Sequence, residues 1–381
     1  MWWFRMSVSP WTSEEIQALR DAIKAYAPSF QEKPIVDILK RIFSRLPVTF
    51  LVDSFGNVKA VAGKGSPVLL LASHMDTIAS ELPFSEDADF LHGRGAVDCR
   101  PSLLAMALAT RRAVVKGFTG AVVFGGIAAE EVSTDGIKVF LDGMVEKPDF
   151  AIFGEPTGAR KICIAYKGRV WLGLSVACKP GHVAAAWIHA NAIEAITAFY
   201  EALKVELTSL VRGKELTPYF TPRATITTIH AGSVPNMLPD GATADVDVRF
   251  PPGIKKEQII ELAARIKDEI VKKNQAIDAS FTMSIEVKSS IDAIRVAQDN
   301  TVCEALAACI ESTSGGEKPS FVKKTGTTFM NHIGSFFGCP VVTYGPGDPA
   351  LEHTPEEKVL KKEFLQTIDV LEAFISQMAE R

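Results

Sequence analysis

The segment Val68-Leu69-Leu70-Leu71-Ala72-Ser73-His74-Met75-Asp76 decides the fold of this chain. It begins with a continuous apolar run and ends on a histidine, with a carboxylate two residues further on. A continuous apolar run is typical of a parallel strand that is buried on both faces. Open α/β sheets place their chemistry beyond the carboxyl ends of such strands. The segment therefore predicts a central strand with a functional site at its end.

Four further segments repeat this arrangement, and each delivers a residue type that binds metals. They are Gly93-Arg94-Gly95-Ala96-Val97-Asp98, 121–129 followed by Glu130-Glu131, 150–154 followed by Glu155, and 340–344 followed by a loop to His353. The combined set is two histidines and four or five carboxylates. Nitrogen and oxygen ligands without thiolate suit zinc, cobalt or manganese.

Composition limits the class of protein. A length of 381 residues predicts two or three domain-sized units, and 47% hydrophobic residues allow sizeable cores. The net charge of -4 argues against general nucleic-acid binding. Because no apolar run approaches about 18 residues, we expect no membrane span.

Two features favour a cytoplasmic location. The opening residues Met1-Trp2-Trp3-Phe4-Arg5-Met6 are shorter than a signal-peptide core of about 7–15 apolar residues. The six cysteines are scattered without a C-x-x-C pair, which predicts reduced thiols rather than disulfides.

The order of the elements predicts the architecture. Predicted helices cover 12–27, 33–46, 101–116, 136–144, 184–203, 256–273, 304–312 and 361–378; strands outside the five segments cover 49–52, 58–62, 161–177, 225–231, 242–250 and 281–288. The alternation before Glu155 is typical of a mostly parallel sheet. The later order strand-helix-strand-strand-helix-strand is typical of an α+β sandwich. We therefore predict an α/β fold, with a mostly parallel-sheet catalytic domain at 1–166 and 289–381 and an inserted α+β sandwich at 167–288.

The polar set matches the needs of a two-metal hydrolase. Two cations about 3.5–4 Å apart activate a water and polarise a carbonyl, and they need one bridging carboxylate. Each ion also needs about one histidine and one further carboxylate. The residues that supply this inventory are His74, Asp98, Glu131, Glu155 and His353.

The remaining carboxylates fit supporting roles. Successive side chains at a strand end point in opposite directions, so one member of Glu130-Glu131 can bind metal while the other takes a proton from water. Asp76, two residues from His74, could hold the second ring nitrogen of that histidine.

The chain resembles the family of metallopeptidases and deacylases that includes aminoacylase, acetylornithine deacetylase, succinyl-diaminopimelate desuccinylase and glutamate carboxypeptidases. The matching motifs are His74-Met75-Asp76, Gly93-Arg94-Gly95-Ala96-Val97-Asp98, Glu130-Glu131, Gly154-Glu155-Pro156 and His353-Thr354-Pro355-Glu356. The resemblance implies that His74, Asp98 and Glu155 bind one ion, zinc before cobalt or manganese, and that Asp98, Glu131 and His353 bind the other. It also implies that Glu130 is the general base and that Asp76 is the orienting carboxylate.

The inserted region also carries family motifs. They are Pro180-Gly181-His182, Asn191-Ala192-Ile193, Val234-Pro235-Asn236-Met237-Leu238-Pro239 and Asp247-Val248-Arg249-Phe250. The resemblance implies a lid and dimerisation domain, in which His182 reaches the oxyanion of the neighbouring site of a homodimer and Asn236 and Arg249 meet the carboxylate end of the substrate. Plainer alternatives remain: an exposed turn for His182, a turn former for Asn236, and an ion pair with Asp245 or Asp247 for Arg249.

Within the family, the chain looks most like hydrolases that release lysine or ornithine from an amino-group carrier protein. The similar pieces are Gly154-Glu155-Pro156-Thr157-Gly158, Tyr166-Lys167-Gly168, Lys323-Lys324-Thr325-Gly326-Thr327 and Tyr344-Gly345-Pro346-Gly347-Asp348. This likeness implies an N-α-acylated basic amino acid as substrate. Lys323-Lys324 is open to two interpretations, a cationic rim for an acidic carrier or a plain solvated pair. The alternatives are a deacetylase of acetyl-lysine or acetylornithine, a di- or tripeptidase, and a non-catalytic protein with a decayed site.

The chain departs from the family pattern at two places. Cys99-Arg100-Pro101-Ser102 stands where relatives have a small or apolar residue followed by Lys-Gly, and Phe329 stands near the place of an expected aspartate. Proline suits the first turn of a helix, so we expect the geometry at Asp98 to survive. The second departure lies in a loop that is near the substrate in relatives, so the resemblance leaves the side-chain specificity open.

Overall fold

A computed structural model describes residues 12–211 and 217–379. The first six residues, considered above for a signal peptide, lie outside the described residues. The chain divides into two compact units. The first unit holds the residues up to Ile164, together with Val296–Val322 and the residues from Thr328 onward; the second holds Ala165–Arg295 and Lys323–Thr327.

Helices and strands alternate through much of the chain. The described α-helices are α1 (Thr12–Lys24), α2 (Lys33–Phe43), α3 (Arg100–Lys116), α4 (Asp135–Asp142), α5 (Ala192–Ser209), α6 (Lys256–Gln275), α7 (Thr301–Thr313), α8 (Phe329–Phe337) and α9 (Lys361–Ala379). The described strands are β1 (Val48–Val52), β2 (Val58–Lys64), β3 (Val68–His74), β4 (Ser85–Glu86), β5 (Phe90–His92), β6 (Gly120–Ile127), β7 (Phe150–Gly154), β8 (Lys161–Tyr166), β9 (Gly168–Ala177), β10 (Gly181–His182), β11 (Arg223–Ala231), β12 (Met237–Leu238), β13 (Gly241–Phe250), β14 (Thr282–Ile291), β15 (Ile294–Arg295), β16 (Ser320–Lys324), β17 (Val341–Thr343) and β18 (Lys358–Leu360).

The main sheet of the first unit runs in the order β1-β2-β6-β3-β7-β17-β8. β3 lies between β6 and β7 and is parallel to both, and β17 is parallel to β7. The carboxyl ends of these four strands therefore meet at one edge of the sheet. The predicted α/β class with a mostly parallel sheet is confirmed, and this edge is the place where the polar residues gather.

α3 is buried along nearly its whole length, and it contacts α1, α2 and α9 as well as β3. Its residues 103–109 are all apolar, and a helical segment that is apolar on all sides packs in a core. α3 ends at Gly117, whose φ of 75° is left-handed and suits glycine. Because α3 follows Asp98 directly, this firmly packed helix fixes where the Asp98 segment ends.

The second unit has a four-stranded antiparallel sheet in the order β11-β13-β9-β14. Residues of β9 and β13 alternate between buried and partly exposed, and the buried ones pack with α5 and α6 in one core. The chain order strand-helix-strand-strand-helix-strand agrees with the sequence prediction. The predicted helix over 184–203 is different: a 3-10 helix covers Val183–Ile188, and α5 begins later because the Asn191 side chain accepts hydrogen bonds from the backbone N–H groups of Ile193 and Glu194.

The segment 93–98 also differs from the expectation. It forms turns between β5 and α3 rather than the end of a parallel strand, and β5 lies in a separate small sheet with β4 and β18. Two glycines of this segment adopt positive φ, Gly93 at 145° and Gly95 at 82°, which a strand does not allow. Asp98 therefore reaches the sheet edge from a turn.

The six cysteines are free thiols in the described part of the chain, and four of them are buried. No helix among residues 12–211 and 217–379 has the length and apolar character needed to cross a membrane.

Candidate metal centre

His74 is the last residue of β3, and its ring is held on both sides. Its Nε2 lies 2.9 Å from Asp98 Oδ1. Its Nδ1 lies 3.1 Å from the backbone oxygen of Asp76 and 3.4 Å from Asp76 Oδ1. The side chains of His74 and Asp76 are almost fully buried. This contact to the second nitrogen fixes the ring orientation, which is what an orienting carboxylate does beside a ligand histidine.

Asp98 meets a second histidine through its other oxygen. Asp98 Oδ2 lies 3.1 Å from His353 Nε2, and the same nitrogen lies 3.1 Å from Glu131 Oε1. Hydrogen bonds to Asp98 and Glu131 raise the pKa of His353 to about 10. His353 has a left-handed φ of 62° in the loop after β17, and this loop brings the ring to the sheet edge. Asp98 thus lies between two histidines, with one oxygen toward each.

Glu155 follows β7 and lies in the same group of side chains as His74 and Asp98. Its Oε1 accepts a 2.7 Å hydrogen bond from Thr328 Oγ1, at the start of α8. Gly345 lies close behind it, because a Cβ added there would be 2.7 Å from the Glu155 backbone oxygen. Sequence analysis missed Thr328. Its place before a helix indicates a cap, but nothing local connects it to Glu155.

Two groups of side chains have the geometry of metal sites. The ligand atoms within each group lie within 4.8 Å of one another, and the groups are His74, Asp98, Cys99 and Glu155, and Asp98, Glu131 and His353. Asp98 belongs to both. This is the set that the sequence reasoning proposed, with Cys99 added.

Cys99 fits the site poorly as a ligand. Its Sγ donates a hydrogen bond to the Gly154 oxygen and lies 3.0 Å from Ser73 Oγ. Burial, with a contribution from Glu155, raises the pKa of the thiol to about 11. Because its thiol is occupied by these two contacts, the donors that remain are imidazole nitrogens and carboxylate oxygens. That donor chemistry fits two divalent ions of the zinc, cobalt or manganese type.

Asp76 also fixes the backbone of the paired glutamates. Its Oδ1 accepts a hydrogen bond from the Glu130 N–H at 3.0 Å, and its Oδ2 accepts from the Glu131 N–H at 3.1 Å and from Ser29 Oγ at 2.7 Å. Burial acts to raise the pKa of Asp76, but its hydrogen bond with His74 and those from Ser29 and Glu131 outweigh burial and lower that pKa. A single ionised carboxylate therefore positions the His74 ring and both residues of the glutamate pair.

The Glu130 side chain lies among other acids. Burial raises its pKa well above the usual value; His74 opposes this shift, while Glu155 and Glu131 add to it. A carboxylate with a raised pKa is suited to taking a proton and returning it near neutral pH. Ala129, just before it, has a left-handed φ of 60°, so the chain turns sharply where the pair begins.

That turn is held by two residues that sequence analysis did not single out. Glu32 Oε1 accepts a hydrogen bond from the Ala129 N–H at 2.9 Å, and Asn57 Oδ1 accepts from the Ala128 N–H at 2.8 Å. Both are buried. They come from distant parts of the chain, so no local pattern reveals them.

Glu357 is the fourth residue that sequence analysis missed. Its Oε1 accepts hydrogen bonds from the backbone N–H groups of Val97 at 2.9 Å and Asp98 at 3.0 Å. Its Oε2 accepts from Arg94 Nη1 at 2.8 Å. Its position next to the His353-Thr354-Pro355-Glu356 motif was a signal that could have led to it. The N-cap residue of α3 is Cys99, next to Asp98.

His182 and Asn236 lie in the second unit. His182 ends β10, opposite Met237 of β12, and its Nδ1 accepts a 3.1 Å hydrogen bond from the Ala184 N–H. Asn236 is exposed, and its backbone oxygen accepts from the Val183 N–H. Their roles toward an oxyanion and a substrate carboxylate stay predictions.

Arg249 also lies in the second unit, in β13. Its Nε donates to Asp247 Oδ1 at 2.6 Å, which is one of the two ion pairs that the sequence allowed, and its Nη1 donates to Thr327 Oγ1 at 2.8 Å. These contacts hold the guanidinium in one orientation. A role in substrate binding stays a prediction.

The two departures from the family pattern have defined places in the structure. Pro101 lies in the first turn of α3, as expected. The buried Arg100 donates from Nη2 to the Ala27 oxygen at 3.1 Å. Phe329 begins α8 as a buried residue, with its ring 6.0 Å from that of Phe153.

Together the parallel sheet and the acid-histidine cluster at its edge define a metallohydrolase of the α/β class. The sequence profile described as Peptidase family M20/M25/M40 matches residues 70–377. The chain belongs to this family of hydrolases.

Similar proteins agree with that assignment. The chain is 28% identical over 379 residues to the LysW-lysine hydrolase of Deinococcus radiodurans, covering 98% of this chain and 99% of the relative. It is 26% identical over 345 residues to the LysW-lysine/LysW-ornithine hydrolase of Sulfurisphaera tokodaii, covering 90% and 89%. In fold it resembles aminopeptidase PepT of Bacillus cereus, with a TM-score of 0.77 at 19% identity and coverage of 97% and 99%. It also resembles YXEP of Bacillus subtilis, described as a dinuclear metal binding peptidase from the M20 family, with a TM-score of 0.71 at 15% identity and coverage of 97% and 99%.

Proposed function

We propose that this protein hydrolyses the amide bond on the α-amino group of lysine or ornithine, releasing the amino acid from an amino-group carrier protein in lysine or arginine biosynthesis. The observation that carries the hydrolytic part is the position of Asp98, whose two oxygens lie 2.9 Å from His74 and 3.1 Å from His353. The substrate is supported by relatives named for lysine and ornithine linked to LysW, which align with nearly the whole chain.

We propose that each ion is held by one histidine and two carboxylates, with zinc as the first candidate and cobalt or manganese as the others. His74, Asp98 and Glu155 would hold one ion, and Asp98, Glu131 and His353 the other. Two such ions supply Lewis-acid polarisation of the substrate carbonyl and activation of water. This arrangement is supported by the donor chemistry and by the shared position of Asp98.

Glu130 is the proposed general base. It takes the proton of the attacking water at its carboxylate and gives it to the leaving α-amino group. Its support is its position: Asp76 fixes its backbone N–H at 3.0 Å, next to the ligand Glu131. We expect Glu130→Gln to lose nearly all turnover while keeping its metal content, because the substitution removes the proton acceptor and no ligand. Turnover within tenfold of the wild type would place the base elsewhere.

A second set of residues is proposed to recognise the substrate. Arg249 and Asn236 would bind its carboxylate end, and His182 would stabilise the oxyanion of the neighbouring site in a homodimer. Dimerisation is supported by large apolar side chains exposed near His182 in the second unit, which would be buried by a second copy. These side chains are Val183, Trp187, Ile188 and Val234, with Trp187 77% exposed.

The test is a turnover screen with zinc or cobalt added. It compares acetyl-lysine, acetylornithine, short peptides and a carrier-lysine conjugate, with Glu130→Gln as the inactive control. The proposal expects kcat/KM to be highest for the conjugate. Turnover of acetyl substrates alone would favour a small-molecule deacetylase, and turnover of peptides alone a di- or tripeptidase. A wild-type protein that binds metal but turns over none of these would favour a non-catalytic role.

The acidic carrier is proposed to meet Lys323 and Lys324. Lys323 Nζ lies 5.1 Å from the centre of the Phe220 ring, so its charge is held against an aromatic face. We expect Lys323→Gln/Lys324→Gln to lower kcat/KM for the conjugate and to flatten its dependence on ionic strength, because salt screens exposed charges. Lys272→Gln/Lys273→Gln, which changes two exposed lysines of α6, is the matched control. Equal salt dependence for the conjugate and for free acetyl-lysine would refute the carrier contact.

A cytoplasmic location stays a prediction that rests on the cysteine pattern. The proposed carrier reaction agrees with it, since it belongs to amino-acid biosynthesis.

A further inference from the structure

The segment 93–98 carries the shared carboxylate, yet it forms turns and lies outside the strands of the main sheet. Its backbone N–H groups therefore need partners other than a strand ladder. Glu357 accepts hydrogen bonds from three of these N–H groups. Its carboxylate accepts from the N–H groups of Val97 and Asp98, and its backbone oxygen accepts from the Gly93 N–H at 3.2 Å.

Arg94 binds the other oxygen of the Glu357 carboxylate. Its Nη1 donates to Glu357 Oε2 at 2.8 Å, while its Nε donates to the Ser80 oxygen at 2.7 Å. The Glu357 side chain is 1% exposed and that of Arg94 is 11% exposed. A buried carboxylate is stable only when its oxygens are paired, and here both oxygens are paired with the segment that carries Asp98.

Glu357 is also four residues from His353. One short stretch of chain therefore delivers the histidine that faces Asp98 Oδ2 and the carboxylate that holds the Asp98 backbone. Glu357 and His353 thus approach Asp98 from the same loop. The distance between the two proposed metal positions depends on where Asp98 lies, because Asp98 is the residue common to both.

We propose that Glu357, with Arg94 as its partner, is a positioning residue for the shared Asp98, and that it sets the affinity of both metal positions without touching either ion. This inference rests on the metal centre of the proposed function. Outer partners of metal ligands typically contribute about 10–100-fold to metal affinity.

Glu357→Gln is the most direct variant. The amide keeps the shape of the side chain but has one acceptor oxygen. If that oxygen meets the N–H groups of Val97 and Asp98, the amide nitrogen faces Arg94, and two donors oppose each other. If the amide is turned around, the nitrogen faces the two backbone N–H groups. Either orientation therefore loses the hydrogen bond from Arg94 or those from the two backbone N–H groups.

The matched control is Glu15→Gln. Glu15 is a buried carboxylate of the same unit, and it accepts two 2.7 Å hydrogen bonds from Arg112 on α3. This variant also breaks a buried glutamate-arginine pair, but that pair includes none of the proposed ligands. Both variants are expected to lower the thermal midpoint of the protein stripped of metal.

The measurement is cobalt and zinc binding, by competition with a chromophoric chelator and by metal analysis of the purified protein. We expect Glu357→Gln to weaken binding of both ions by about 10–100-fold, while Glu15→Gln stays within about twofold of the wild type. Arg94→Lys is the second variant, in case Glu357→Gln does not fold. It keeps a cation near the carboxylate but cannot reach both Glu357 and the Ser80 oxygen, so a smaller loss of affinity is expected.

The outcomes distinguish a failure of the positioning role from a failure of the proposed function. Unchanged metal affinity in Glu357→Gln and Arg94→Lys, in a wild type that binds two ions, would overturn the positioning role and leave the proposed function intact. An equal loss in Glu15→Gln would also overturn it, because the effect would then be general destabilisation. A wild type that binds no divalent ion would overturn the metal centre and this inference with it.

Discussion

The substitution Asp76→Asn tests how much the proposed metal centre depends on Asp76, a carboxylate that is not among the proposed metal ligands. Asp76 is fully buried and touches four groups: the His74 ring, the N–H groups of Glu130 and Glu131, and the Ser29 hydroxyl. The two backbone N–H groups lie on different oxygens. An asparagine keeps the volume but replaces one oxygen by a donor.

The expected magnitude follows from these contacts. In either amide orientation one of the two backbone N–H groups faces a donor and stays unpaired. A buried unpaired donor costs about 1–3 kcal/mol, so the free energy of unfolding should fall by about that amount. The displaced glutamate pair and the less firmly held His74 ring should weaken metal affinity by about 10–100-fold.

The assays are chemical denaturation of the protein stripped of metal and chelator competition for metal affinity. Asp149→Asn is the control, because the Asp149 carboxylate accepts a 2.8 Å hydrogen bond from the Val68 N–H at the opposite end of β3. It should leave metal affinity unchanged. If Asp76→Asn binds both ions within twofold of the wild type, Asp76 does not organise the centre and the reasoning is refuted.

Three further results are expected. Thr328→Val should weaken metal binding at the Glu155 position, measured by chelator competition, because it removes a 2.7 Å hydrogen bond to that carboxylate worth about 1.5–3 kcal/mol. Gly345→Ala should lower the thermal midpoint, because its Cβ would lie 2.1 Å from Ser102 Oγ; an unchanged midpoint would contradict the packing described. Burial, with nearby arginines, lowers the pKa of Lys167 to about 8, so the folded state releases this proton before the unfolded state does. Relative to Lys167→Met, the free energy of unfolding of the wild type should therefore rise by about 1–2 kcal/mol between pH 8 and 10.5, measured by urea denaturation of both proteins.

Sequence patterns predicted the parts of the centre that have a local signal. Each apolar run marks a buried strand, and the polar residue after it must lie at the sheet edge, which places His74, Glu131 and Glu155. The sequence pattern places Asp98 at a strand end, but Asp98 lies in a turn, where its backbone N–H donates to Glu357, 259 residues away.

The supporting contacts could not be predicted for the same reason. Asn57 and Ala128 are 71 residues apart, and Glu32 and Ala129 are 97 residues apart. A hydrogen bond across such a separation leaves no periodicity or spacing in the sequence. It becomes visible only when the fold brings the two segments together.

The backbone hydrogen bonds to Asp76 and Glu357 explain how several acids can lie together at one sheet edge. Asp98, Glu130, Glu131 and Glu155 are packed at one sheet edge, and like charges at close range repel one another. That repulsion would spread the ligands apart if their backbone were free to move. Asp76 opposes the movement, as Glu357 does, by accepting hydrogen bonds from the N–H groups of the residues that carry the charges. Because folding has already fixed the proposed ligands in place, the binding energy of the two proposed cations need not be spent on ordering them.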